Sequence, residues 1–88
     1  MDKFNGIVKT EEQQIFVNDI VSILDNKNEI TMFYQDVEFV VDPHGNSIEV
    51  YSNGETIAYY SDAIDFLLNH KIYGKTIVEL FAYIDYSI

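Results

Sequence analysis

Apolar residues recur along this chain with two different periods, and each change of period marks a boundary between predicted elements. Over residues 10–25 they return at helical spacing and occupy one face. The members of this face are Phe16, Val17, Ile20, Val21, Ile23 and Leu24. Thr10 and Gln13 have the spacing of a capping box, in which each side chain accepts a hydrogen bond from the other residue's backbone N–H. The sequence therefore predicts a first helix over residues 10–25.

Alternation of apolar and polar residues follows this helix, which is typical of half-buried strands. It predicts four strands, which span residues 29–34, 37–42, 47–52 and 55–60. Three stretches of turn residues separate them. These are Gln35-Asp36, a four-residue loop from Pro43 to Asn46, and Asn53-Gly54, which is a strong type I′ hairpin signal.

The lengths of these turns predict which residues lie opposite one another. Met32 is expected to pair with Phe39, Phe39 with Val50, and Val50 with Ile57. Each of these pairs places apolar against apolar on one face, and a slip of one residue would break the agreement. The sequence therefore predicts a four-stranded antiparallel meander.

After the meander, helical spacing returns in two short stretches. The pair Ser61-Asp62 offers an N-cap for a helix over residues 61–70. A second capping box begins at Thr76, and apolar residues at helical spacing predict a last helix over residues 76–86. The predicted fold class is α+β: a helix, a four-stranded antiparallel meander, and two C-terminal helices packed on one sheet face.

The length of 88 residues indicates a single domain, spanning 1–88, with an N-terminal arm over residues 1–9. Its predicted core collects the inward residues of all the elements. They are Phe16, Ile20, Leu24, Met32, Phe39, Val41, Ile48, Val50, Ile57, Leu67, Leu68, Leu80, Phe81 and Ile84.

Charge narrows the range of functions. The chain has 15 acidic residues against 5 lysines and no arginine, which gives a formal net charge of −10. Such a chain repels phosphate groups, which argues against direct binding of nucleic acid or of anionic membranes. The absence of cysteine excludes disulfides and thiol chemistry. No apolar run approaches about 18 residues and the N-terminus lacks a signal-peptide core, so we expect a soluble, cytoplasmic protein.

The chain contains no motif that names a chemical activity. Residues 73–76, Tyr-Gly-Lys-Thr, resemble the end of a phosphate-binding loop, but Asn69 stands where that motif requires glycine. His44 and His70 are the only histidines, and neither has a second histidine at ligand spacing. Asp42 and the neighbouring His44 form only a weak site for an adventitious cation. We therefore expect no enzyme activity, no cofactor and no metal site.

The outward face of the predicted sheet carries a stronger signal, because aromatic side chains lie there among carboxylates. Phe33, Tyr51 and Tyr60 supply the aromatic area. This mixture is typical of a protein-interaction surface, and equally of a solvated second face whose aromatics sustain strand formation. Acids on the second helix extend the surface. The predicted partner-binding residues are Glu38, Asp42, Glu49, Tyr51, Asp62 and Asp65.

The last predicted helix also presents polar and aromatic residues on its outer face, namely Glu79, Tyr83 and Tyr86. Two tyrosines on one exposed face indicate a small contact patch. This patch is expected to form either a homodimer seam or the surface on which the N-terminal arm packs.

In size, strong acidity, absence of cysteine and element order, the chain resembles the small phage-encoded anti-CRISPR proteins that inhibit Cas9. The resemblance concerns layout and charge, without a shared residue motif. It implies an acidic surface that occupies a basic DNA-binding cleft, since Cas9-type proteins hold nucleic acid in positively charged channels.

We therefore predict a non-enzymatic, acidic binding protein that mimics DNA and blocks the basic nucleic-acid-binding surface of a partner protein. The alternative is a small oligomeric structural or accessory protein whose acidity serves only solubility.

Overall fold

A computed structural model describes Phe4 and residues 6–88 of the chain. Within this part the protein has two α-helices, a five-stranded antiparallel sheet and a small two-stranded sheet. The helices are α1 (Glu11–Asp25) and α2 (Ala63–Asn69). The strands are β1 (Ile30–Tyr34), β2 (Val37–His44), β3 (Ser47–Ser52), β4 (Glu55–Tyr60), β5 (Lys71–Ile72), β6 (Lys75–Thr76) and β7 (Asp85–Ser87).

Helix α1 begins at the predicted capping box. Thr10 Oγ1 accepts a hydrogen bond from Gln13 N at 3.1 Å, and Gln13 Oε1 accepts one from Thr10 N at 3.1 Å. Two backbone donors at the start of the helix are thereby satisfied, which fixes where it begins. Its predicted apolar face packs toward the sheet, and Phe4 from the N-terminal arm joins the same core.

The large sheet has the strand order β4-β3-β2-β1-β7. Its first hairpin has the predicted register, with Ile30 opposite Val41 and Met32 opposite Phe39. The turn at Gln35-Asp36 closes with Gln35 at φ 54°, a left-handed conformation that a glutamine adopts at some cost. The four predicted strands of the meander are therefore confirmed as elements.

The predicted four-residue loop between β2 and β3 is wrong. The strands continue to His44, which pairs with Ser47, so that only Gly45 and Asn46 form the turn. Gly45 supplies the positive φ of 63° that such a tight turn needs. As a result Val41 pairs with Val50 instead of Ile48. The shift is an even number of residues, so the inward faces stay as predicted.

A β-bulge overturns the predicted pairing of β3 with β4. Ser52 and Tyr51 pair with Glu55 and Thr56 as expected, but Val50 then pairs with Ala58, and Ile57 falls between the two registers. One extra residue inverts the faces of the rest of the strand. Ile57, predicted to be core, is therefore 54% exposed.

The same bulge exchanges the roles of two neighbouring tyrosines. Tyr60, predicted to face outward, turns inward and packs against the core. Tyr59 takes its place on the outward face and is 64% exposed.

The predicted last helix over residues 76–86 is also wrong, and with it the fold class of two C-terminal helices. The capping box at Thr76 does form, since Thr76 N donates to Glu79 Oε1 at 2.8 Å. After it the chain makes irregular turns, in which Tyr83 N bonds Leu80 O at 2.8 Å, and then enters β7.

A tertiary contact explains this outcome. Strand β7 pairs with β1, placing Tyr86 opposite Met32, and so satisfies backbone groups on an edge that the meander leaves open. Ile77 and Val78 are both fully buried, and adjacent positions of a surface helix rarely point the same way.

The second predicted helix is present but shorter than residues 61–70, and Asp62 is its N-cap. The segment after it, predicted to be a turn between helices, is instead the β5–β6 hairpin. Tyr73 and Gly74 both have positive φ there, 52° and 79°, as a type I′ turn requires.

The core lies between the two helices, the inward face of the large sheet and the turns before β7. The predicted core residues are buried except for Ile57, which is exposed, and Leu68 and Phe81, which are half-buried. Neither helix in the described part of the chain is long and apolar enough to cross a membrane.

Candidate functional site

The outward face of the large sheet lies opposite the face on which the helices pack. Its residues alternate with the buried ones, and Glu38, Asp42 and Glu49 project from it as predicted. The five strands contain no lysine or arginine. This side of the sheet therefore carries carboxylates without any cationic side chain from its own strands.

The acids converge at the end of the sheet near the β2–β3 turn. Asp42 lies directly opposite Glu49 in the register, and His44 follows Asp42 by two residues on the same face. The ligand atoms of these three side chains all lie within 4.8 Å of one another. We call Asp42, His44 and Glu49 the hairpin cluster.

Hydroxyl groups orient the carboxylates around the hairpin cluster. Tyr51 Oη donates to Glu29 Oε2 at 2.8 Å, and Thr56 Oγ1 donates to Glu49 Oε2. Partial burial and the nearby charge of Glu29 raise the pKa of Asp42; His44 opposes the shift and Glu49 adds to it. The hydrogen bond to Glu29 raises the pKa of Tyr51, so this hydroxyl stays protonated as a donor.

Glu38 and Tyr51 lie on the outward face away from the turn. Glu38 is exposed and pairs across the sheet with Phe33, while Tyr51 is half-buried opposite Val40. Together with Tyr59, which pairs with Glu49, these side chains surround the acids with apolar area. The outward face therefore combines carboxylates with aromatic contact area, as predicted, but with Tyr59 in place of Tyr60.

Asp62 and Asp65 accept backbone hydrogen bonds at the start of α2. Asp62 Oδ1 accepts from Asp65 N at 2.8 Å, and Asp65 Oδ2 accepts from Ser61 N at 2.9 Å. The bond from the Ser61 backbone lowers the pKa of Asp65, which holds its charge in the cap. Asp62 lines the same groove as Gly45 and Asn46, so it lies near the β2–β3 turn, but none of the hairpin cluster lines that groove.

The three residues predicted for self-association do not share a helical face, because the helix is absent. Glu79 caps the turn at Thr76, and Tyr83 is 73% exposed beside it. Tyr86 lies on β7 and packs edge-on against Phe16, with ring centroids 5.8 Å apart. The structure brings Glu79 and Tyr83 together along one groove and packs Tyr86 against α1 instead.

Sequence reasoning missed Glu29, and it considered His44 beside Asp42 only as a weak site for an adventitious cation. The predicted four-residue loop includes His44, whereas β2 continues to this residue. His44 therefore follows Glu38, Val40 and Asp42 along the outward face. A two-residue turn at Gly45-Asn46 would have revealed it, since glycine and asparagine are the residues that such turns prefer.

A different polar pair lies on the inward side. Tyr60 Oη and His70 Nδ1 are 2.8 Å apart, and the His70 ring stacks on Phe66 at a centroid distance of 5.5 Å. His70 is 9% exposed, and burial lowers its pKa below 6.5. Burial raises the pKa of Tyr60, so the tyrosine donates and the neutral imidazole accepts.

Comparison of the chain with protein-family models, with curated proteins and with solved structures finds no match.

Proposed function

We propose that this is a non-enzymatic, acidic binding protein that acts in the cytoplasm. It mimics DNA and blocks the basic nucleic-acid-binding surface of a partner protein, in the manner of the anti-CRISPR proteins that its size and charge resemble. The observation that carries the proposal is the outward sheet face, where acids from the neighbouring strands β2 and β3 lie without a lysine or arginine from the sheet among them.

The distribution of charge supports this reading. A chain with a net charge of −10 attracts a basic surface over a distance and speeds encounter with it. The lysines at positions 71 and 75 lie on the separate β5–β6 hairpin. Lys27 reaches the β2–β3 turn, where its Nζ donates to Gly45 O, so the acidic face has one lysine at that end and none on its own strands.

The rigidity of the surface supports it as well. Glu38, Asp42 and Glu49 project from paired strands, so their spacing is set by the sheet rather than by a flexible loop. Carboxylates held in place lose less conformational freedom on binding than those of a disordered acidic tail. Phe33, Tyr51 and Tyr59 add contact area that phosphate mimicry alone would lack.

The test measures inhibition and its dependence on salt. A Cas9–guide RNA complex serves as the probe, and binding of its target duplex DNA is measured with and without this protein. We expect competition with the duplex and an affinity for the complex that falls steeply with salt, because the contacts are between exposed charges. A basic protein without nucleic-acid function is the specificity control.

Two variants of equal charge locate the surface. Glu38→Gln with Glu49→Gln should weaken binding and flatten its salt dependence, whereas Glu11→Gln with Glu12→Gln at the start of α1 should change both much less. Equal effects of the two pairs would show that only net charge matters. Failure to bind the complex or to compete with DNA would favour the small oligomeric accessory protein, and sedimentation would then show assemblies larger than 10.2 kDa.

A further inference from the structure

We propose that the hairpin cluster, Asp42, His44 and Glu49, is a binding site for a divalent transition-metal ion of the zinc class. The site is independent of the proposed function, since it rests on three side chains of one hairpin. Among the described residues, these three side chains bring their ligand atoms close enough together to hold one ion.

The backbone presents all three ligands from one side of one hairpin. Asp42 and Glu49 are directly opposed across β2 and β3, and His44 is the next outward residue of β2. Because both strands are paired in the sheet, the pleat fixes the positions from which these side chains project. The turn beyond them is closed by Gly45 and Asn46, and its carbonyl at Gly45 accepts from Lys27 Nζ at 3.1 Å. The ligand set is thereby preorganised by main-chain pairing.

The distances suit a single small ion. The ligand atoms are at most 4.8 Å apart, and ligands on one zinc ion are about 3.4 Å apart given bonds of about 2.1 Å. His44 is exposed, so rotation of its side chain closes the difference without moving the strands. An ion held from one side in this way keeps further coordination positions for water.

Surrounding groups support the carboxylates as outer-shell partners do in metal sites. Thr56 Oγ1 donates to Glu49 Oε2, which orients that carboxylate and leaves its other oxygen free for the ion. Tyr51 holds Glu29 beside the cluster, and Glu29 adds a third negative charge close to Asp42. Two ligating carboxylates balance the charge of a divalent ion, and the mutual repulsion of these acids is relieved when it binds.

The ligand types select the kind of ion. An imidazole nitrogen favours zinc, nickel, cobalt or copper, whereas magnesium and calcium prefer an all-oxygen shell. Zn²⁺ and Ni²⁺ should therefore bind with one-to-one stoichiometry, and Mg²⁺ and Ca²⁺ far more weakly. This preference separates a built site from the general attraction of cations to an acidic protein.

The experiment titrates the 88-residue protein with Zn²⁺ by calorimetry and follows its backbone amide NMR signals during addition of Ni²⁺, whose paramagnetism broadens nearby resonances. His44→Gln should weaken Zn²⁺ binding at least about tenfold, since changes to mere outer-shell partners already cost about that much. Glu38→Gln, on the same face but outside the hairpin cluster, should leave the affinity within about twofold. Thermal unfolding without metal confirms that each variant folds.

Three outcomes would overturn the site. The first is absence of one-to-one Zn²⁺ binding. The second is an unchanged Zn²⁺ affinity in His44→Gln. The third is equal affinity for Zn²⁺ and Mg²⁺, which would show cations condensing on the acidic surface. Broadening confined to residues 42–49 and their neighbours on β1 and β4 would support it. These readouts require no partner protein, so they stand or fall separately from DNA mimicry.

Discussion

A histidine lies on each side of the large sheet, and the two histidines have different surroundings and different roles. On the inward face His70 is buried between Phe66 and Phe39, is kept neutral, and accepts a hydrogen bond from Tyr60. On the outward face His44 is exposed beside two carboxylates. The inward imidazole is packed between rings and hydrogen-bonded at Nδ1, whereas the outward one is exposed and can take a ligand. Burial and packing, more than residue identity, assign each histidine its role.

The comparison also shows where stability and function are separated. The inward face carries the apolar contacts that hold the fold, and its polar groups are satisfied internally. The outward face carries like charges that oppose one another and contribute little to folding. Substitutions on the two faces should therefore separate into those that unfold the protein and those that change only binding.

The largest expected effect is truncation of the inward face. Phe39 is buried in the middle of β2 and contacts the His70 ring, so Phe39→Ala should lower the free energy of unfolding by about 3–5 kcal/mol. Denaturant unfolding measures this. Phe39→Leu keeps most of the volume and should cost about 1 kcal/mol, which keeps the comparison interpretable if the alanine variant fails to fold.

Acidification should destabilise the inward face through His70. The unfolded chain takes up a proton near pH 6.5, whereas the folded pKa is lower, so the unfolded state holds more protons in the interval between the two. Stability should therefore fall as pH falls through this interval and level off below the folded pKa. Protonation also occupies Nδ1, so the imidazole can no longer accept from Tyr60 Oη.

Urea midpoints between about pH 7.5 and pH 5 test this prediction, since unperturbed carboxyl groups titrate mostly below that range. His70→Gln keeps an acceptor for Tyr60 and does not titrate, so its midpoint should change less over the same range. An equal pH response in the two proteins would assign the effect to groups other than His70.

Truncation of Tyr83 and of Tyr86, which the sequence predicts on one helical face, should have different effects on stability. Tyr86 packs on Phe16 and its hydroxyl lies 3.4 Å from an Asp19 oxygen, so Tyr86→Ala should cost about 2 kcal/mol. Tyr83 is exposed, and Tyr83→Ala should cost less than about 0.5 kcal/mol. Thermal and denaturant unfolding measure both. Equal costs would restore the helical face, and with it the homodimer seam that sedimentation would detect.

The smallest expected effect concerns the bulge. Ile57→Thr should change stability by less than about 0.5 kcal/mol, because the side chain is exposed in an edge strand. Ile48→Thr, on the inward face of β3, should cost about 2 kcal/mol or more because it buries a hydroxyl. Similar costs at the two positions would show that Ile57 lies inside and that the bulge is absent.

The strands of the meander could be predicted because alternation and turn chemistry agree there. Met32 opposite Phe39 followed from a two-residue turn, and Asn53-Gly54 closed its hairpin as expected, with φ of 54° and 80°. The bulge could not be predicted from alternation. Along β4, either Ile57 and Tyr59 or Ala58 and Tyr60 can form the inward-facing set without breaking the alternation. The packing of Tyr60 against His70 and Phe66 decides which set faces inward.

The last strand was missed because its cause is not local. The spacing of Ile77, Leu80 and Ile84 fits a helix, and the capping box at Thr76 even forms. The pairing of β7 with β1 joins residues far apart in sequence and outweighs this preference. For the candidate site, the acids of the outward face followed from strand parity. The hairpin cluster did not, because it depends on a register that the turn after Pro43 sets.

The bulge in β4 also bears on whether the edge of the sheet can pair with another molecule. Strand β4 is the outer member of the sheet, with β3 on one side and no strand on the other in the described residues. A straight outer strand bearing Ile57 and Tyr59 would be a template for edge-to-edge polymerisation. The extra residue bends the strand and interrupts its regular ladder of free N–H and C=O groups, so a neighbouring molecule finds no continuous partner. Deleting Ile57 would straighten this edge and should promote fibril formation, most readily where salt screens the negative charge of the protein.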